Sequence, residues 1–149
     1  MKFIDSSITH KNNAIDFYQE DCDQTNLYFI EKLNEVNSQG KGRYIPNSLP
    51  DVHGAVWAKY NESIVGGLFY DIEKAQGSNS LWIALVYVDP KYRQQGIYKM
   101  LHQQANAIAK SLGREKVITW FSLANQKMFQ IGKSVGYSGT MVIMERPVD

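Results

Sequence analysis

Cysteine is almost missing from this 149-residue chain. The single Cys22 excludes an internal disulfide, and no group of cysteines and histidines has the spacing of a zinc ligand set, so neither an oxidised scaffold nor a structural metal is expected. An excess of one charge is missing too. Lys and Arg total 16 against 15 Asp and Glu, a net charge of +1, whereas non-specific binders of polyanions carry a strong basic surplus. Nucleic acid and membrane surfaces are therefore not expected as partners. No apolar run approaches the roughly 18 residues that cross a bilayer, and Met1-Lys2-Phe3-Ile4-Asp5 turns polar too soon for a signal peptide, which predicts a cytoplasmic protein. Repeats, low-complexity segments and linkers are absent, so residues 1–149 are expected to form one domain.

Apolar and aromatic residues are well represented: 44% of the chain is hydrophobic, with 9 Tyr, 6 Phe and 3 Trp. That is the composition of a globular protein. Residues 3–8 predict a first strand. Thr9 or Asn12 then caps a predicted helix with Ala14, Ile15, Tyr18 and Cys22 on one side. A second helix is expected from Ile30, Leu33 and Val36, with Phe29 beside them, and residues 37–53, holding Gly40, Gly42, Pro46 and Pro50, read as a long loop. Residues 55–60 and 64–72 read as a hairpin, residues 73–79 as a polar turn, and residues 81–88 as a strand covered on both faces. Ile97, Leu101, Ala105, Ile108 and Leu112 mark one face of a helix that stops at Gly113. A strand over 117–123, a helix from 125 to about 135 and a strand over 140–144 follow. The order predicts an α/β protein with a mixed sheet, antiparallel early and crossed over later. With one glycine in the turn after residue 88, a dinucleotide-binding βαβ unit is excluded.

The most informative segment is Val86-Tyr87-Val88-Asp89-Pro90-Lys91-Tyr92-Arg93-Gln94-Gln95-Gly96-Ile97-Tyr98-Lys99-Met100-Leu101, a strand running through a Pro-containing turn into a basic helix start. The first N–H groups of a helix lack intrahelical partners and carry partial positive charge, so a phosphate placed there satisfies both. Gly96 lets such a ligand approach the backbone, and Lys91, Arg93 and Lys99 add positive field.

Within that segment Arg93-Gln94-Gln95-Gly96-Ile97-Tyr98 follows a Val-x-Val-x-Pro-x-x-Arg run, and Asn125 precedes Gly136-Tyr137 by eleven and twelve residues. These features resemble the GNAT family of N-acetyltransferases, whose acetyl-CoA motif is Arg or Gln, two residues, Gly, one residue, then Gly or Ala. The resemblance covers nearly the whole chain. It implies the acyl-CoA N-acyltransferase fold, a central mixed sheet of six to seven strands flanked by about four helices. It also implies transfer of the acetyl group of acetyl-CoA directly to an amine of a small molecule, peptide or protein, with no metal. Backbone groups of Val86 and Val88 are then expected to pair with the pantetheine arm. The amides of Gln95, Gly96, Ile97 and Tyr98 would cradle the pyrophosphate. In the same turn as Gln94, Arg93 would face a phosphate or hold the loop, and Asn125 would contact the pantetheine arm or cap its helix.

Three positions depart from the family pattern. Tyr98 stands where the motif prefers Gly or Ala, so its side chain has to turn away from the pyrophosphate. Gly132, seven residues after Asn125, replaces the tyrosine that in many members protonates the departing thiolate, and Ala84 stands where some members carry a basic glutamate. The acid–base candidates left are Tyr87, Asp71 and Glu73. Tyr87 would contact the acceptor or serve ordinary sheet packing; Asp71 and Glu73 would anchor or deprotonate the amine, or lie in a solvated turn. Tyr18, Tyr28, Phe29 and Tyr44 would line an acceptor pocket or belong to the core. His10, His53 and His102 have no metal spacing. Cys22, in a predicted helix without a base partner, gives no reason for an acyl-enzyme. The substitutions at Ala84 and Gly132 leave a second reading open, a CoA-binding sensor or scaffold without turnover. A third is a domain whose basic turn holds another phosphate ligand. The short tail after Tyr137 has room for one strand where family members commonly have two, which predicts a homodimer whose partner completes that edge.

Overall fold

The computed structural model describes residues 1–38, 50–72, 79–119, 126–139 and 146. Six strands form one sheet in chain order: β1 (Lys2–Ile8), β2 (Ala14–Asp21), β3 (Gly54–Tyr60), β4 (Ser63–Asp71), β5 (Ser80–Val88) and β6 (Lys116–Thr119). Neighbours run antiparallel as far as β5, and β5 and β6 are parallel. The helices are α1 (Leu27–Ser38), α2 (Ile97–Ser111), which carries the chain from β5 to β6, and α3 (Gln126–Ser134), with a 3₁₀ turn over Pro90–Tyr92. This is the expected mixed sheet, with three α-helices among the described residues where about four were expected. The predicted strand over 140–144, where a partner subunit was expected, lies outside the described residues. So do Tyr44, Glu73 and Asn125.

The missing helix is β2. Ile15 and Phe17 are fully buried while Asp16 and Tyr18 between and after them are only partly covered, a period of two. A helical stripe through Ala14, Ile15, Tyr18 and Cys22 leaves Phe17 off the buried side, and burying Phe17 decides for the strand. Thr9 and Asn12 close a turn instead of capping a helix: Thr9 N–H donates to the Asn13 carbonyl at 2.9 Å, and Asn12 takes φ 64°. The same short polar side chains serve caps and turns alike. Cys22 accordingly follows a strand. The β3–β4 hairpin turns through Asn61 and Glu62, both at positive φ (48° and 68°), the geometry whose twist matches that of the paired strands.

The sheet buries both faces. One packs Phe17, Val56, Leu68, Leu81 and Ile83 against Ile97, Leu101, Ala105 and Ile108 of α2, the stripe read from the sequence except for Leu112, which caps the helix and is exposed. On the other, Trp57, Phe69 and Leu85 meet Phe29 and Leu33 of α1. Aromatic edges close that second core: Trp57 lies 5.2 Å from Phe69 at 88°, and Tyr28 5.2 Å from Trp57 at 78°. Tyr28 and Phe29 thus belong to packing against the sheet.

Candidate functional site

β5 has two unlike halves. Residues 80–83 pair with β6. Beyond Ile83, among the described residues, β5 is paired only to β4. The register between these two strands also slips here, Phe69 facing Leu85 and Tyr70 facing Ile83, so that Ala84 is an extra residue and the strand bends. Asp89 N–H donates to the Val65 carbonyl at 2.8 Å, which fixes the alternation: Tyr87 and Leu85 aim their backbone groups at β4, and Val86 and Val88 aim theirs at the opposite edge. An extended ligand laid there meets the N–H and C=O of Val86. The Val88 carbonyl already accepts from the Arg93 Nε at 2.9 Å.

The turn after β5 ends in a helix start without a cap. Asp89 accepts from the Lys91 N–H at 2.9 Å and begins the 3₁₀ turn. Gln94 (φ 61°) and Gly96 (φ 89°) then take left-handed backbone, and Gly96 occupies the cap position of α2. Glycine tolerates that φ and offers no capping side chain. The first turn of α2 also lacks any acidic residue, and its first intrahelical bond runs from Met100 N–H to the Gly96 carbonyl at 3.0 Å. The N–H groups of Ile97, Tyr98 and Lys99 therefore have no partner in the helix, and an anion satisfies them.

The side chains of this turn face elsewhere. Arg93 holds the end of β5 through Val88 and lies 5.5 Å from the Tyr87 ring centre. Gln95 is buried, its amide oxygen accepting from Asn13 Nδ2 at 2.6 Å and Thr9 Oγ1 at 3.2 Å. Tyr98 lies against His102, ring centres 4.3 Å apart, and burial pushes its phenol up to about 12. The motif's bulky third position is thus accommodated by packing against a residue one helical turn along α2, the rings tilted by 48°. His102 in turn bonds the Tyr137 hydroxyl through Nδ1 at 2.8 Å, docking the segment after α3 onto α2. Its Nε2 is buried without a hydrogen-bond partner among the described residues, and burial pushes the imidazole down to about 4.

A sequence model of the acetyltransferase (GNAT) family matches residues 14–133. The chain belongs to that family. No curated protein sequence matches it significantly. Among solved structures it resembles the aminoglycoside N-acetyltransferase AAC(6')-Iy in complex with CoA, with 18% identity and a TM-score of 0.61 over 90% of this chain and 100% of that one. It also resembles the aminoglycoside acetyltransferase meta-AAC0020, from an uncultured soil metagenomic sample, in complex with sisomicin: 20% identity, a TM-score of 0.62, 89% of this chain and 97% of that one. At these identities the likeness shows a shared fold. In this GNAT chain the bulge on β5 carries Ala84, and Gly132 is buried within α3.

Besides Arg93, polar groups of α1 lie against the open half of β5. Tyr87 donates its hydroxyl to Glu35 Oε1 at 2.9 Å, and Lys32 lies 4.8 Å from the Tyr87 ring centre and 3.6 Å from Glu35 Oε2. Burial, then the hydrogen bond to Glu35, raise the Tyr87 phenol above its usual range. Lys32 and Glu35 were not singled out from the sequence. Their signal, a cation and an anion three apart on one helix, is common to solvated helix faces. Asp71 is buried, 8% exposed, and ends β4 opposite Trp82, not in a solvated turn. Trp82 precedes Tyr87 by five residues, roughly 17 Å along a strand, so these two candidates are not brought together. Cys22 is a poor nucleophile: burial, then Asp23 and Glu20, push its thiol up to about 11. Among the described residues no group of His, Cys, Asp and Glu could hold a metal ion, and no helix is long and apolar enough to cross a membrane.

Proposed function

We propose that this GNAT protein is an acetyl-CoA-dependent N-acetyltransferase acting on the amine of a small molecule by direct transfer. The observation that carries the reading is the juxtaposition of an uncapped, acid-free helix start at Gly96 with an open strand edge at Val86. The pyrophosphate of CoA would lie on the N–H groups of Gly96, Ile97 and Tyr98, and the peptide-like pantetheine arm would add to β5 at Val86 in the manner of an extra strand. Acetyl-CoA supplies a thioester carbonyl open to attack by an amine. Orientation alone can contribute about 7–11 kcal/mol to such a step, so the loss of a dedicated acid and base at Gly132 and Ala84 is compatible with turnover. Tyr87, held by Glu35 and Lys32, would face the acceptor. The raised Cys22 thiol supports a route without an acyl-enzyme. A small-molecule amine is favoured as acceptor because the solved relative with sisomicin is an aminoglycoside acetyltransferase.

The second reading, a CoA sensor, is favoured by one observation: neither Ala84 nor Gly132 offers a side chain that can move a proton. Thioester consumption measured against a broad panel of amines separates the two. Release of CoA that depends on an amine supports the enzyme. CoA binding with no turnover on any amine contradicts it.

A further inference from the structure

We propose that the turn between β1 and β2 is a positioning element for the cofactor's diphosphate, with Thr9 and Asn13 acting through Gln95. The inference rests on the reading of the Arg93–Gly96 turn as the CoA site. Gln95 lies between two residues in left-handed backbone, Gln94 at φ 61° and Gly96 at φ 89°. Such a conformation at a residue other than glycine is costly and persists only where its surroundings hold it. What holds it is the Gln95 amide, 4% exposed, whose oxygen accepts from Asn13 Nδ2 at 2.6 Å and from Thr9 Oγ1 at 3.2 Å. Thr9 is itself 2% exposed, and its oxygen accepts from the Asn13 N–H at 3.0 Å and the Lys11 N–H at 3.3 Å, which directs its hydroxyl proton to Gln95. His10 of the same turn covers Gly96, its Nδ1 3.9 Å from where a Cβ would stand.

The match to the family begins at residue 14, so Thr9, His10 and Asn13 all precede it. This brace comes from the β1–β2 turn, outside the residues that the family model matches. Its consequence is specific. If the hydrogen bonds to Gln95 are lost, the amides of Gly96 and Ile97 lose their fixed direction, while the edge of β5, ordered by β4, keeps its own. Groups that bind phosphate suffer and groups that bind pantetheine do not.

The test compares two probes, CoA and pantetheine, which lacks the diphosphate, by titration of the full chain. Thr9→Val and Asn13→Ala are each expected to weaken CoA by about tenfold and to leave pantetheine within about twofold, with Thr9→Ser restoring CoA affinity. Gln95→Met, which removes the acceptor from the other side, is expected to behave as they do and serves if the hairpin variants fail to fold. Equal CoA affinity in folded variants overturns the brace, as does parallel weakening of CoA and pantetheine, which would mark general support of the fold. Failure of the unsubstituted protein to bind CoA overturns the reading of the turn and the brace with it.

Discussion

The two parts of the site are made of different material. At the start of α2 the groups proposed to face the ligand are backbone amides, aimed by two left-handed residues, and the nearby side chains are engaged elsewhere: Arg93 on Val88, Gln95 on Thr9 and Asn13, Tyr98 on His102. On the α1 face the proposed acceptor-side groups are side chains, Tyr87, Glu35 and Lys32, which hold one another. A backbone site is insensitive to which side chains surround it so long as the path is kept, which explains how the bulky Tyr98 is tolerated in the motif. A side-chain site changes its chemistry with each substitution. Under the proposed function, binding of an activated acyl group would rest on the backbone part, and the fate of that group on the side-chain part.

That contrast is strained hardest through His102, which packs the backbone site's helix. The unfolded imidazole takes a proton below about pH 6.5 and the folded one resists until about 4, so the contribution is complete above pH 6.5 and is lost as pH falls toward 4, amounting to about 3 kcal/mol. Urea unfolding of the native protein and of His102→Gln at several pH values should show this slope in the first and its absence in the second. Equal slopes would mean that the imidazole is not held neutral.

Next in size is Gly96→Asp, which puts a carboxylate where the diphosphate belongs and a side chain at φ 89°. CoA affinity should fall about a hundredfold. An unchanged affinity would move the anion away from the start of α2. Tyr87→Phe tests the separation from the other side. Turnover should drop about tenfold with CoA affinity intact, and a drop in CoA affinity instead would join the two parts into one. The smallest effect is expected remote from both: Glu62→Gly relieves a left-handed residue in the β3–β4 turn and should add about 1 kcal/mol of stability without touching either function.

The same difference in material explains what was legible in the sequence. The proposed cofactor turn is contiguous, and its strand, Pro90, Gly96 and the stripe from Ile97 to Ile108 each carry a local signal. The Tyr87 cluster joins residues 52 positions apart, and neither Glu35 nor Lys32 departs from what a solvated helix face would carry. Between these extremes lies the first hairpin. Thr9 and Asn12 signalled an interruption correctly, but an interruption before a strand and one before a helix use the same residues, and only the burial of Phe17 tells them apart. Asp71 was placed near the acceptor as a residue after a strand. It is the last residue of β4 and is buried there, opposite Trp82.

The most direct measurement is a calorimetric titration of the folded native protein with CoA, with Gly96→Asp alongside. Saturable one-to-one binding that the substitution weakens about a hundredfold is the result this structure predicts. A folded protein that takes up neither CoA nor acetyl-CoA would contradict it.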